Sequence, residues 1–176
     1  MNADLLVYQA KAFYNAYIAL DQLSRDDSDT LLLLFAPLVV NGAFSVELAL
    51  KAILAKNQIE YGKEHNLLIL FQMLPKSFQQ ELWAYLIEKA PEYAGFEKGL
   101  DELILLSNAF VDWRYAFEGK PVPAIESRFL AAFANAAVHT MFSYYNADLL
   151  PATKAESNNE ICLLYTSPSP RDVLLS

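Results

Sequence analysis

The chain has 176 residues and a formal net charge of -8, and hydrophobic residues make up 55% of it. This length suits one domain with a core of its own, and the acidic balance excludes a broad basic surface for nonspecific nucleic-acid binding. The chain has only 5 glycines beside 11 phenylalanines and 10 tyrosines, which favours packed helices over a turn-rich β fold.

A long apolar stretch near the N-terminal end is the strongest helix signal. A first helix is expected over residues 4–23, and the polar turn SRDDSD (24–29) leads into the apolar stretch 31–56. Asn41, Glu47 and Lys51 interrupt this stretch before the roughly 20 apolar residues that a membrane span needs. We therefore expect it to be the central helix of a soluble bundle. Pro37 inside it predicts a kink or a break over residues 33–36.

The later elements are also predicted as helices. A short helix over 66–74 is ended by Pro75, and a capping-box pattern at Ser77 and Gln80 begins a fourth helix that ends near Pro91. One helix is expected over 99–118, where five apolar residues recur at intervals of three and four, and a last helix over 124–149. The predicted fold class is all-α, an antiparallel bundle of five or six helices over residues 1–150.

The terminal segments carry their own predictions. The segment from Cys162 to Asp172 resembles translated sequencing-adapter sequence, so 162–176 is expected to be a non-native scar on a disordered tail over 151–176. Without that cysteine the chain has none, so neither a disulfide framework nor a cysteine-based zinc site is expected. The first residues, MNADLLVYQAKAF, do not resemble a signal peptide, which predicts a cytoplasmic protein with no membrane partner.

Charged residues on the two strongest helices form the candidate site. Glu47 and Lys51 are four residues apart, which places them on one helix face, and Arg114 lies beside the apolar stripe of the 99–118 helix, within expected reach of Glu47. Two interpretations stay open: an ion-pair network that fixes helix register, or a ligand-binding cleft. The candidate ligand-binding residues are Glu47, Lys51, Asp112, Arg114, Tyr115 and Glu118.

The two histidines receive different interpretations. His65 begins a helix, where its imidazole could act as an acid or base or as a loop residue, whereas His139 is expected to be a partly buried structural residue. No acid precedes either histidine by three residues, and phosphate-loop, G-x-S-x-G and H-E-x-x-H motifs are absent. No metal site and no cofactor are predicted.

Three segments resemble a small bacterial HEPN domain: FSVELALKAIL (44–54), EHNLLILFQMLP (64–75) and NAFVDWRYAFE (108–118). The resemblance implies a helical bundle, usually dimeric, from a toxin–antitoxin, phage-defence or nucleotidyltransferase-associated system. It also implies that active members cleave RNA without metal, using an arginine and a histidine separated by four to six residues. Arg114 matches the arginine, but positions 119–121 read Gly, Lys and Pro, so the histidine is missing.

Three functions follow from this resemblance and this departure. The first is a binding module for RNA, a nucleotide or a partner protein such as a cognate antitoxin or nucleotidyltransferase. The second is a metal-independent ribonuclease with His65 as base and Arg114 stabilising the phosphorane. The third is an inert dimerisation scaffold. A homodimer is expected, with Tyr144 and Tyr145 as exposed contact residues.

Overall fold

A computed structural model describes residues 3–24, 28–115, 118–119 and 121–149, so the predicted tail and adapter-like segment lie outside the described residues. The described residues contain helices and no β-strand, and the predicted all-α class is confirmed. The helices are α1 (Ala3–Ser24), α2 (Ser28–Lys56), α3 (Leu67–Met73), α4 (Lys76–Lys89), α5 (Phe96–Leu106), α6 (Ala109–Arg114) and α7 (Ser127–Leu149), with a 3₁₀ turn at Pro91–Tyr93. If α5 and α6 are counted as one interrupted helix, the bundle has six.

Helix α2 is the centre of the bundle, as its composition predicts. It packs against α1, α3, α6 and α7, and Val46, Ala49 and Ile53 are fully buried. Helix α1 runs antiparallel to it, since Phe13 contacts Phe44 edge to face at 4.5 Å while Tyr17, further along α1, lies against Gly42, earlier on α2. The helix has the length and mean hydropathy, 1.8 over Leu33–Lys56, to span a membrane, but the core helix of a soluble bundle passes the same test.

Helix α7 closes the other side of the core. It runs parallel to α2, because the Lys56 ammonium at the end of α2 donates to the backbone oxygen of Tyr144 at 2.9 Å. It runs antiparallel to α4, with the ring of Tyr85 stacked on His139 and that of Phe78 against Tyr144. Helix α7 therefore packs against both α2 and α4.

Pro37 does not break α2. The helix continues through it, and the side-chain amide of Asn41 donates to the Pro37 carbonyl at 2.7 Å. Pro37 is exposed, so the backbone hydrogen bond that its ring removes is lost on the solvent side of the helix. Of the two predicted alternatives, a kink or a break, the break is therefore wrong.

The predicted helix over 99–118 is two helices. Helix α5 ends at Leu106, and Asn108 leaves the helical region with φ of -112° and ψ of 10° before α6 begins. The Ser107 hydroxyl donates to the Ile104 carbonyl, and the Ser107 carbonyl accepts from the Leu67 backbone N–H at 2.8 Å. This carbonyl satisfies a donor at the N-terminus of α3. The hydrogen bond between Leu67 and Ser107 is thus formed where the helix breaks, although the apolar spacing continues across the break.

Other local predictions also need correction. Helix α4 begins at Lys76 after Pro75, with no side-chain cap, so Ser77 lies inside the helix rather than capping it. His139 is exposed, not partly buried. Tyr145 is buried, with its hydroxyl donating to the Ala52 carbonyl at 2.9 Å, and is no exposed contact residue.

Candidate functional site

Glu47 and Lys51 form a buried ion pair on α2. The Lys51 Nζ donates to Glu47 Oε1 at 2.7 Å, and the two residues are 7% and 1% exposed, respectively. The Lys51 ammonium also lies 5.4 Å from the ring centroid of Tyr61, in the loop between α2 and α3. Burial, and the Glu47 carboxylate after it, raise the pKa of Tyr61. The ion pair between Glu47 and Lys51 that the four-residue spacing predicted is therefore formed, and the loop that carries Tyr61 packs against it.

His65 is bound to the same carboxylate oxygen. Its Nδ1 lies 2.9 Å from Glu47 Oε1, while its side chain is 50% exposed. A carboxylate accepts but does not donate, so in the neutral imidazole the proton lies on Nδ1 and the lone pair on Nε2. Glu47 therefore fixes both the orientation and the tautomer of His65. This contact joins residues 18 positions apart and is not evident from the sequence pattern.

The backbone around His65 is held by the start of α3. The Glu64 Oε1 accepts from the backbone N–H groups of His65 and Asn66, at 2.9 and 2.7 Å. Asn66 caps α3 by accepting from Ile69 N at 3.0 Å, and its amide donates to Asn108 at the break before α6. Glu64 and Asn66 were not among the predicted site residues. An Asn at the expected start of an apolar helix is the sequence signal that would have identified the cap.

The second oxygen of Glu47 has no partner. Within the described part of the chain, Oε2 is buried and makes no hydrogen bond. A buried carboxylate oxygen without a donor is unusual, because its desolvation is uncompensated. This oxygen therefore has the capacity to accept one more hydrogen bond beside the Lys51–Glu47–His65 group, which we call the buried triad.

Arg114 lies on an aromatic platform at the end of α6. Its Cζ is 4.8 Å from the ring centroid of Phe110 and 4.7 Å from that of Tyr115, and Nη2 donates to the Tyr115 hydroxyl at 3.1 Å. Phe110 is stacked on Phe44 of α2 with centroids 4.3 Å apart, which anchors the platform in the core. Arg114 is exposed and forms no ion pair with another described residue.

Phe110 is the element that the buried triad and Arg114 have in common. Its ring centroid lies 6.4 Å from that of His65 and carries the Arg114 guanidinium. The predicted contact between Arg114 and Glu47 is not formed: Oε1 of Glu47 contacts Lys51 and His65, and Oε2 is buried. The imidazole and the guanidinium are thus two polar groups around one aromatic ring.

The remaining predicted residues are less involved. Asp112 is partly buried, and its backbone N–H donates to the Asn108 carbonyl, but its side chain makes no ion pair with a described residue. The backbone N–H of Glu118 donates to the Tyr115 carbonyl at 2.9 Å. No group of three acidic, histidine or cysteine side chains in the described ranges is arranged to hold a metal ion.

Comparison with known proteins gives one match. The family model of the HEPN domain matches residues 37–121, about half of the chain, a range that includes the buried triad and Arg114. Comparisons with curated proteins and with solved structures returned no match. The matched range is helical throughout its described elements, as the resemblance implied. Residues 37–121 of the chain are therefore a HEPN domain.

Proposed function

We propose that this HEPN domain is a binding module for a phosphate group of RNA or a nucleotide, within a bacterial toxin–antitoxin or phage-defence system. The observation that supports it best is the state of Arg114. An exposed guanidinium in an acidic chain is held between two aromatic rings and has no carboxylate partner among the described residues. A guanidinium fixed in this way offers a planar set of donors that matches a phosphate group.

The neighbouring residues supply what a nucleotide needs besides a cation. Tyr115 is exposed, and a base could stack on its ring. His65, whose ring centroid is 6.4 Å from that of Phe110, has Nε2 as a further hydrogen-bonding atom. The net charge of -8 opposes a long nucleic-acid footprint. The proposed ligand is therefore a nucleotide or a short single-stranded segment.

Binding of a labelled oligoribonucleotide, measured by fluorescence anisotropy in excess chelator, tests this proposal. Loss of a charge-assisted hydrogen bond costs about 1.5–3 kcal/mol, so Arg114→Ala should weaken binding by tenfold or more. Arg128→Ala is the matched control, because Arg128 is also exposed but is already paired with Glu92 at 2.9 Å. Equal affinity of the two variants would contradict the proposal.

A metal-independent ribonuclease is the second candidate, and the Glu47–His65 contact favours it. Orientation of an imidazole by a carboxylate on one nitrogen is the arrangement that prepares the other nitrogen as a general base. In this mechanism Nε2 accepts the proton of a 2′-hydroxyl as its oxygen attacks the phosphorus, and Arg114 stabilises the charge on the phosphorane. The P–O5′ bond then breaks to leave a 2′,3′-cyclic phosphate, and water protonates the departing 5′-oxygen. The missing histidine of the family motif would be replaced by His65, which lies in the loop before α3 and not at the start of a helix as predicted.

Cleavage of RNA by the full chain in excess chelator distinguishes the two candidates. A ribonuclease should lose activity in both His65→Ala and Arg114→Ala, whereas His139→Ala, which alters an exposed histidine stacked on Tyr85, should keep it. Binding without cleavage supports the binding module. A chain that neither binds nor cleaves RNA, yet forms a stable dimer, would favour the scaffold interpretation.

A further inference from the structure

An open groove lies on the face formed by α3, α4 and α5, away from the residues of the candidate site. Its volume is about 580 Å³, which is within the range of small-molecule sites. Helix α4 provides one long wall, and Trp83 packs so closely on α5 that a Cβ added to Gly99 would lie 2.6 Å from its ring. The lining residues are Leu68, Phe71, Gln72, Lys76, Gln79, Gln80, Trp83, Ala84, Ile87 and Leu100.

The groove is polar at one end and apolar along the rest. On α4 the lining residues change from Lys76 and two glutamines in the first turn to Trp83, Ala84 and Ile87 in the later turns. The distance from residue 76 to residue 87 along the helix is about 16 Å at 1.5 Å per residue. The groove therefore fits an extended apolar chain with a polar group at one end.

The polar end of the groove carries the positive charge of Lys76, which is hydrogen-bonded to Gln79. The Gln79 side-chain amide donates to the carbonyls of Gln72 and Leu74, at 3.0 and 2.7 Å, and its oxygen accepts from Lys76 Nζ at 3.0 Å. Lys76 forms no ion pair with any described residue. No carboxylate is among the described residues that line the groove, although the chain has 21 acidic residues against 13 basic ones. An anionic head group would therefore meet the Lys76 ammonium and no carboxylate among these residues.

We propose that this groove binds a small amphiphile, an alkyl chain that ends in a carboxylate. The alkyl chain lies against Trp83, Ala84 and Ile87, and the carboxylate accepts hydrogen bonds from the Lys76 ammonium. Burial of each methylene group contributes about 0.8 kcal/mol, so most of the affinity comes from the chain and the head group sets the orientation. This inference does not depend on the proposed function, because no lining residue belongs to the candidate site.

Titration calorimetry of the full chain with dodecanoate, below its micelle concentration, tests the proposal. We expect one site per chain and at least tenfold weaker binding of dodecyltrimethylammonium, which has the same alkyl chain and the opposite charge. Equal affinity for the two amphiphiles, or no binding of dodecanoate, would overturn the proposal.

Two variants locate the site. Lys76→Gln should weaken dodecanoate binding about tenfold, whereas Lys89→Gln on the same helix should not, because Lys89 lies outside the groove and pairs with Glu88 at 2.8 Å. Ala84→Trp should abolish binding, because its indole would fill the apolar part from an exposed position that tolerates a larger side chain. Wild-type affinity in Lys76→Gln, or in a folded Ala84→Trp protein, would show that dodecanoate binds elsewhere and would refute the groove as its site.

Discussion

The buried triad makes a quantitative prediction about the stability of the bundle. The side chains of Glu47 and Lys51 are 2% and 8% exposed, and the ion pair between them measures 2.7 Å. Removal of Lys51 leaves the buried Glu47 carboxylate with only the His65 hydrogen bond, and removal of Glu47 leaves the Lys51 ammonium buried without a carboxylate partner. We expect Glu47→Leu, and separately Lys51→Met, to lower the free energy of unfolding by about 3–5 kcal/mol each.

The double variant should behave differently from the sum of the single ones. Replacing both charges with apolar residues of similar size removes the desolvation cost together with the attraction, and such exchanges are often neutral or stabilising. We therefore expect Glu47→Leu/Lys51→Met to cost no more than about 1 kcal/mol, since His65, half exposed, can be hydrated when it loses its partner.

Thermal and urea unfolding of the four proteins would measure this cycle. For a chain of this size 1 kcal/mol corresponds to about 2–4 °C, so each single variant should lower Tm by roughly 6–20 °C. Additive losses in the double variant would refute the reasoning, because they would show that the two charges are not coupled. If each single variant lost less than about 1 kcal/mol of unfolding free energy, the ion pair would behave as one that is screened by solvent.

Three further predictions concern packing and titration. Gly42→Ala should lower the unfolding free energy in urea by about 1–2 kcal/mol, because overpacking outweighs helix propensity; the added Cβ would lie 3.0 Å from Tyr17 Cδ2. Stability should fall as pH rises from about 10 to about 12, since burial raises the pKa of Tyr145 to about 12 and the unfolded chain releases this proton first; Tyr145→Phe should flatten that slope. Glu102→Gln should stabilise the protein at neutral but not at acidic pH, because burial and then the Glu126 carboxylate raise the pKa of Glu102, so the folded state disfavours its charge.

Local periodicity was sufficient to predict the central helix and the ion pair within it. The apolar composition of 31–56 identified the central helix, and the four-residue spacing of Glu47 and Lys51 implied the ion pair that the structure contains. Both features depend on residues within one helix, where side-chain directions follow from 3.6 residues per turn. The orientation of Pro37 toward solvent does not follow from that periodicity alone, which is why a kink or a break was expected although the helix is continuous through this residue.

The parts of the site that the sequence did not predict depend on contacts between elements. The Ser107 carbonyl bonds to the start of α3, so the apolar stripe of the predicted 99–118 helix is divided and α6 takes its own direction against α2. In that direction Phe110 stacks on Phe44, and its ring then lies near both the imidazole of His65 and the guanidinium of Arg114. Phe110→Leu should therefore weaken ligand binding through Arg114, because the ring, rather than an ion pair, holds the guanidinium. Arg114→Lys should change the free energy of unfolding little, because it breaks no ion pair with a described residue. This arrangement depends on the break between α5 and α6, and the apolar spacing of residues 99–118 does not reveal that break.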